Sequence, residues 1–361
     1  MEQKIRVNNK IGIFDAYIEK GSNIHQKYKK MDDGWIAYNP YRINVGSIGI
    51  KYRKHQYEYI SPAYVVFSCT SDLLPEYLFL LMKTPSFNKI IRENTTGSVR
   101  QNLSFKTLQK LRLPLPKTSI QNELVSKYNL TIAEALEKER RIVELEKEIN
   151  QYLQSEFGIR YAKGSIETGL NYKRFTDTDR WDLWNATTDY FPDKHNRISL
   201  KNVISLKSGT FLPAAEQIGT TYHVYGGNGI TGSHDKYNYC GKRIIIGRVG
   251  EYCGNVHLVD GYYWVTDNAF IVDKKLEEVS WEYLEIAISY LNLNTHKTVS
   301  AQPSLSQSRI LQQQINIPPT DVQSIITSHI LERRQQIMIL EQQASDLRKK
   351  ALSDFENEIF E

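Results

Sequence analysis

The sequence predicts an α+β protein in which two mixed α/β modules are separated by two long, antiparallel coiled-coil helices, arranged as a pseudo-two-fold repeat. Three observations predict this fold. Two stretches of about 40 residues carry a helical apolar pattern, each follows a proline-rich segment, and short β-rich runs recur in one order before each of them. The chain has 361 residues, which is enough for two domains.

The long helices are predicted over about Thr118–Phe157 and about Thr320–Glu361. Apolar residues recur every seven positions in both, and the second set lies 202 residues after the first. Such a period is typical of a helix that packs against a partner helix. We therefore expect the two helices to pair with each other, through Ala135, Ile142, Ile149, Ile337, Ala344 and Ala351.

Residues 1–117 are predicted to form the first module, with residues 118–157 as the central spacer helix. Within this module, β-rich runs at 34–38, 47–50 and 63–67 are separated by Asn, Pro, Gly and charged residues, as strands usually are. One helix is predicted over residues 74–91 and a short one over 105–110.

Residues 158–317 are predicted to form the second module, and residues 318–361 the C-terminal spacer helix. The second module repeats the first in order. The segment that starts at Trp281 corresponds to the one that starts at Pro75, and the strand ending in Arg248-Val249-Gly250 is aligned with residues 43–49. An ordered series of matches predicts a duplicated fold.

The two modules differ at their front. Roughly 90 residues of the second module precede Gly250, whereas 48 residues precede Gly49. We therefore expect the first module to be N-terminally incomplete, with a missing or rearranged first strand layer.

Charge is distributed unevenly. Lys and Arg exceed Asp and Glu by ten in residues 1–117 and by one in residues 158–317, whereas each helical segment has a net charge of −3. A polyanion would therefore be held by the modules. Three scattered cysteines, no long apolar run and no signal peptide favour a reducing cytoplasm.

Catalytic and metal-binding patterns are not found. Residues 225–229, Tyr-Gly-Gly-Asn-Gly, are better explained as a tight turn than as a phosphate-binding loop, because no Gly-Lys-Ser/Thr follows. Cys240, Cys253 and His257 include no closely spaced cysteine pair, so no metal is predicted. The sequence argues against catalysis by this chain.

Polar and aromatic loops remain as functional candidates, because amides, aromatic rings and cations suit base edges and phosphates. The alternatives are that the tyrosines pack the module, that residues 51–55 form a solvated turn, and that Arg248 makes an internal salt bridge. The candidate DNA contacts are Lys51, Arg53, Lys54 and Arg100 in the first module and Tyr222, Tyr225, Asn228, Lys236 and Arg248 in the second.

A family resemblance covers nearly the whole chain. It is carried most strongly by residues 222–230, 244–256, 264–269 and 301–306, and more loosely by 100–104 and 113–116. These stretches resemble the specificity subunit of Type I restriction-modification systems. The resemblance implies two target recognition domains, each reading one half of a split DNA target from the major groove. Helices of about 40 residues would separate the halves by roughly 60 Å, more than one ~34 Å turn of DNA.

The resemblance also implies partners. Methyltransferase subunits that modify adenine with S-adenosylmethionine would dock on the chain, and restriction subunits would add ATP-dependent translocation and cleavage. The cofactors would belong to those partners and none to this chain. Three alternatives remain: the recognition part of a fused or two-chain Type II restriction-methylation enzyme, a coiled-coil adaptor that binds protein and no DNA, and a free-standing enzyme.

Overall fold

The computed structural model describes residues 2–8, 12–19, 27–94, 102–157, 194–298 and 302–360. The chain divides into two units: unit 1 comprises residues 1–142 and 338–361, and unit 2 comprises residues 143–337. Both long helices contribute residues to both units. Among the described residues, no helix has the length and apolar character needed to cross a membrane.

Unit 1 contains two sheets, one in the strand order β2-β1-β6-β3 and one in the order β5-β4-β7. Strands β1 and β6 are parallel, and the other neighbours are antiparallel. The elements are β1 (Glu2–Asn8), β2 (Gly12–Glu19), β3 (Lys29–Lys30), β4 (Ile36–Tyr38), β5 (Ile48–Ile50), β6 (Tyr59–Ile60), β7 (Val65–Phe67), α1 (Pro75–Leu81), α2 (Pro85–Glu93), α3 (Phe105–Leu108) and parts of α4 (Thr118–Phe157) and α7 (Thr320–Phe360).

The larger hydrophobic cluster of unit 1 lies where its smaller sheet meets the helices. Apolar residues of β4, β5 and α1 are buried there, joined by Leu124 of α4 and Phe355 of α7. The prediction of one helix over residues 74–91 is wrong, because Pro85 cannot continue a helix and instead begins α2. Thr84 caps α2, and its hydroxyl accepts a hydrogen bond from the Phe87 N–H at 3.2 Å.

Unit 2 contains sheets in the strand orders β11-β10-β15-β12 and β14-β13-β16-β9, and a two-stranded sheet of β17 and β8. Its elements, besides parts of α4 and α7, are β8 (Arg197–Ser199), β9 (Ile204–Ser208), β10 (Tyr222–Gly226), β11 (Gly229–His234), β12 (Tyr239–Cys240), β13 (Arg243–Gly247), β14 (Val256–Val259), β15 (Tyr262–Val265), β16 (Ala269–Lys275), α5 (Trp281–Tyr290), α6 (Gln307–Leu311) and β17 (Gln314–Asn316).

The two units repeat one topology, which confirms the predicted duplication. The parallel pair β1 and β6 corresponds to the parallel pair β10 and β15, and β5-β4-β7 corresponds to β14-β13-β16. Registers agree as well, since Tyr38 pairs with Ile48 and Ile246 pairs with Val256 at a constant offset of 208. Strand β9 adds a fourth strand in unit 2 that has no counterpart among the described residues of unit 1.

The alignment of residues 243–250 with residues 43–49 is wrong. Strand β4, at residues 36–38, is the counterpart of β13, and residues 43–45 form a 3₁₀ turn. Gly46 therefore corresponds to Gly254, and both have positive φ angles, of 80° and 92°. A glycine in the left-handed region closes the loop in each unit.

Helices α4 and α7 pack against each other within each unit, as the shared heptad pattern predicts. In unit 1, Arg348 contacts Glu139 at 2.8 Å, and the rings of Tyr128 and Phe355 lie 6.5 Å apart. In unit 2, Tyr152 stacks on His329 at 3.9 Å. Residue numbers rise along one helix as they fall along the other, so the pairing is antiparallel.

The six residues predicted to pair the helices are all at least partly covered. The three alanines are buried, and the three isoleucines are half-buried. These residues are Ala135, Ala344 and Ala351, and Ile142, Ile149 and Ile337.

A buried glutamine ties the start of each long helix to its unit. The Gln121 amide donates to the Asp72 and Pro116 carbonyls at 2.8 Å each and accepts from the Leu74 N–H at 2.8 Å. Gln323 makes the equivalent three bonds in unit 2, at 2.9, 2.9 and 3.0 Å. We call each arrangement a glutamine clip. The clips fix where each helix leaves its sheet-containing part.

Candidate nucleic-acid interface

The basic turn of unit 1, residues 52–55, follows β5 and presents two exposed cations. The Tyr52 N–H donates to His55 Nδ1 at 2.9 Å, and the two rings stack at 6.2 Å. Lys54 Nζ lies 5.7 Å from the Tyr52 ring centroid. The Arg53 side chain is 94% exposed and lies 3.4 Å from the Asp33 carboxylate. This turn can therefore offer positive charge to a polyanion.

The other two predicted contacts of the first module are Lys51 and Arg100. Lys51 is only 6% exposed, because its backbone continues the strand and exchanges hydrogen bonds with Trp35 and Gly34. The structure therefore contradicts Lys51 as a surface contact. Arg100 lies outside the described residues.

In unit 2, the β10–β11 hairpin ends in a tip, residues 226–229. Asn228 is flanked there by glycines, and the backbone of the tip requires them. Gly229 has a φ angle of +85°, and a Cβ on Gly227 would lie 2.6 Å from the Val249 carbonyl oxygen. The Asn228 side chain is exposed, and its Oδ1 accepts a hydrogen bond from Asn255 Nδ2 at 2.8 Å. The tip therefore holds one polar side chain in a fixed place.

Arg248 follows β13 beside this tip. Its N–H donates to the Asn268 carbonyl at 2.9 Å, and its own carbonyl accepts from the Leu305 N–H at 2.8 Å. The guanidinium lies 5.4 Å from the centroid of Phe270, and Nη1 donates to the Asp267 carbonyl at 3.4 Å. The side chain is half-buried and is steadied by a ring and a carbonyl, which leaves further guanidinium donors for an anionic or base ligand.

The structure thus brings the backbone segments that carry Asn228 and Arg248 together at the end of β13, because Gly227 packs against Gly247 and Val249. We call the residues around them the tip cluster, which comprises Asn228, Arg248, Tyr252, Asn255 and Asn268. Sequence reasoning missed Tyr252, which is 59% exposed. It also missed Asn255, whose position beside the left-handed Gly254 is the one available signal.

Tyr222 and Lys236 lie away from the tip cluster, toward the other end of β10. Tyr222 belongs to an exposed tyrosine cluster with Tyr237 and Tyr262, whose ring centroids lie 4.7–6.0 Å apart. Tyr237 and Tyr262 are 47% and 57% exposed, and Lys236 next to Tyr237 is exposed. Neither Tyr237 nor Tyr262 was predicted as a contact from the sequence. The cluster offers aromatic faces and hydroxyls beside a cation.

Tyr225 has a packing role. It is half-buried and packs against the core cluster that contains Ile245 and Tyr263, and its ring lies 5.8 Å from that of the buried Tyr263. Burial raises the pKa of the Tyr225 hydroxyl. The structure therefore favours the alternative that this tyrosine packs the module.

Sequence comparison identifies a family and a curated relative. Residues 7–155 and 192–347 match the family described as Type I restriction modification DNA specificity domain. A curated relative, the Type I restriction enzyme EcoprrI specificity subunit of Escherichia coli, is 28% identical over 131 residues. That match covers 36% of this chain and 30% of the relative, so the chain is matched to less than a third of that protein's length.

Solved structures share the fold. The S subunit of a Type I restriction-modification system from M. genitalium has a TM-score of 0.51 and 14% identity, with 91% of this chain and 84% of that chain covered. A second chain comes from a structure described as the basis of complex assembly and conformational transition of the type I R-M system. It has a TM-score of 0.56 and 14% identity, with 97% of this chain and 88% of that chain covered. At this identity the likeness concerns the fold alone.

Proposed function

Because the chain belongs to the family of Type I restriction-modification DNA specificity domains, we propose that it is the sequence-reading subunit of a Type I restriction-modification complex. Residues 1–117 and 158–317 are its two target recognition domains, and the helical segments 118–157 and 318–361 are spacers. Each domain reads one half of a split target in double-stranded DNA. The observation that carries this proposal is the repeat of strand order, register and glutamine clip in the two units.

Each proposed DNA contact has a chemical role. Arg53 and Lys54 of the basic turn neutralise phosphates, as does Arg100. Asn228 and Arg248 contact base edges, because amide and guanidinium groups carry the donors that read the major groove. Tyr222 and Lys236 contact the sugar-phosphate backbone, which positions unit 2 without reading sequence.

The chain itself performs no catalysis in this proposal. DNA adenine methyltransferase subunits bind it and supply the S-adenosylmethionine chemistry, and restriction subunits supply ATP-dependent translocation and cleavage. The complex acts in the cytoplasm. The acidic helical segments, each with a net charge of −3, keep the spacer from competing with the modules for the duplex.

Two measurements on the full chain test this function. Binding to duplex DNA should weaken steeply as log[salt] rises, and methylated adenines mapped with its methyltransferase partner should fall in two sequence elements at a fixed spacing. A chain that binds partners through its helices and shows no salt-dependent binding to DNA would be an adaptor. DNA cleavage by the assembled complex without ATP would favour the Type II alternative.

A further inference from the structure

We infer that Asn228 reads an adenine in the half-target of unit 2 and that Asn255 is the positioning residue that holds it in reading geometry. This inference rests on the proposed function and names one base for one side chain. It concerns the tip of the β10–β11 hairpin, where Asn228 is exposed between glycines.

The backbone of the tip is fixed. Gly226 pairs with Gly229, and Gly229 takes a φ angle of +85°. Gly227 packs directly on the end of β13, since a Cβ on Gly247 would lie 2.0 Å from the Gly227 carbonyl oxygen. With the backbone pressed against the sheet, Asn228 is the one tip residue that has a side chain to present.

The carboxamide of Asn228 is fixed as well. Asn255 Nδ2 donates to Asn228 Oδ1 at 2.8 Å. Asn255 itself is held by its backbone, because its carbonyl accepts from the Gly247 N–H at 2.9 Å and its N–H donates to the Tyr252 carbonyl at 3.2 Å. This bond restrains the Asn228 carboxamide and leaves Asn228 with two Nδ2 hydrogens and a second Oδ1 lone pair.

A donor and an acceptor side by side match adenine. Its major-groove edge offers the N7 acceptor and the N6 donor, and an asparagine side chain engages both at once. Arg248 of the tip cluster provides positive charge nearby for the DNA backbone or an adjacent base. Restricting the side chain before binding lowers the entropic cost of forming the contact with the base.

The test uses the full chain and a duplex library that carries two randomised segments. Selection followed by sequencing should return a two-part motif with an adenine that depends on Asn228. Asn228→Ala should abolish the adenine preference at that one position, a loss of about 5- to 150-fold discrimination, and Asn228→Asp should shift it toward cytosine, whose N4 amine donates to a carboxylate. Asn255→Ala should broaden the same position and leave all others unchanged.

Ile230→Ala is the matched control, because Ile230 is 55% exposed on the same hairpin and carries no polar group. It should leave the motif unchanged. If Asn228→Ala changes no position, or weakens every position equally, the reading role is overturned while DNA recognition by the chain stands. If the unmodified chain selects no motif at all, the proposed function fails together with this inference.

Discussion

The glutamine clip of unit 2 attaches the long helix to its unit, and removing it should lower the free energy of unfolding by a measurable amount. Gln323 is 1% exposed, and its amide satisfies the Glu278 and Pro318 carbonyls and the Ser280 N–H. Gln323→Ala removes three hydrogen bonds, each worth about 0.5–1.5 kcal/mol, and leaves buried backbone groups without partners. We expect the free energy of unfolding of unit 2 to fall by about 2–4 kcal/mol.

A second substitution separates hydrogen bonding from side-chain volume. Gln323→Glu keeps the size of the side chain and the acceptor for the Ser280 N–H. At neutral pH it presents only oxygen acceptors to the two carbonyls that Gln323 Nε2 serves. It should therefore destabilise unit 2 about as much as the alanine, with partial recovery at acidic pH, where a protonated carboxyl can donate to one carbonyl.

Hydrogen exchange at the Ser280 amide is the local readout, with urea denaturation as the global one. Gln336→Ala is the control, because Gln336 is an exposed glutamine on the same helix. It should change the unfolding free energy by less than about 0.5 kcal/mol. Unaltered protection of Ser280 in the Gln323→Ala chain would refute the assignment of the clip as an attachment point.

Three further predictions concern charged groups. Arg334→Ala removes the cation that lies 2.6 Å from the largely buried Glu285 carboxylate and leaves that carboxylate with the hydrogen bond from the Ser289 hydroxyl. Because Arg334 is 39% exposed, the free energy of unfolding should fall by about 1–3 kcal/mol, measured by urea denaturation. The hydrogen bond from Arg348 lowers the pKa of the Glu139 carboxyl from its ordinary value. The contribution of this pair to stability, below about 1 kcal/mol, should therefore be present at neutral pH, disappear as the pH falls through the lowered pKa, and weaken in high salt. Arg248→Ala should cost about 1–3 kcal/mol of specific binding; equal discrimination between cognate and scrambled duplexes before and after the change would remove Arg248 from the reading surface.

The long helices were predictable because their signals are local and strong. A seven-residue apolar period and a preceding proline segment place α4 at Thr118–Phe157, the predicted range, and α7 at Thr320–Phe360. The shared 202-residue offset also predicted that α4 and α7 pair with each other, since the apolar faces of two helices with the same heptad pattern can bury each other.

The strand register of the repeat could not be read from the sequence. Apolar residues follow one another at 43–50 and at 243–249, so matching on composition favoured the wrong strand. In the structure, Gly46 and Gly254 take equivalent left-handed positions just before β5 and β14, and a φ angle leaves no mark in composition.

Exposure of single loop residues was equally hard to predict. Lys51 and Lys54 lie three residues apart in one basic run, yet the first is buried as an extension of β5 and the second is exposed. Tyr222 and Tyr225 are both half-buried, yet the first packs against the exposed Tyr262 and the second against the buried Tyr263. Which face is covered depends on the neighbouring strands.

The two units keep identical residues where they attach to the long helices. Tyr77 and Tyr283 each donate to a carbonyl just before a long helix, at 2.9 and 2.7 Å, and Gln121 and Gln323 make the same three bonds. These contacts hold the frame of each unit to its helix.

At the end of the central strand, by contrast, equivalent positions differ. Pro40 of unit 1 occupies the place of Arg248, since the carbonyl of each accepts the N–H of a leucine, Leu103 or Leu305. Ser47 occupies the place of Asn255, since the carbonyl of each accepts the N–H of an equivalent residue, Asn39 or Gly247. Unlike Asn255, Ser47 is buried. Two copies of one frame that differ at one edge can present different donors and acceptors at the same relative position. A protein that reads two unlike half-targets needs this division, because its frame must fix the geometry while its edge residues vary with the sequence to be read.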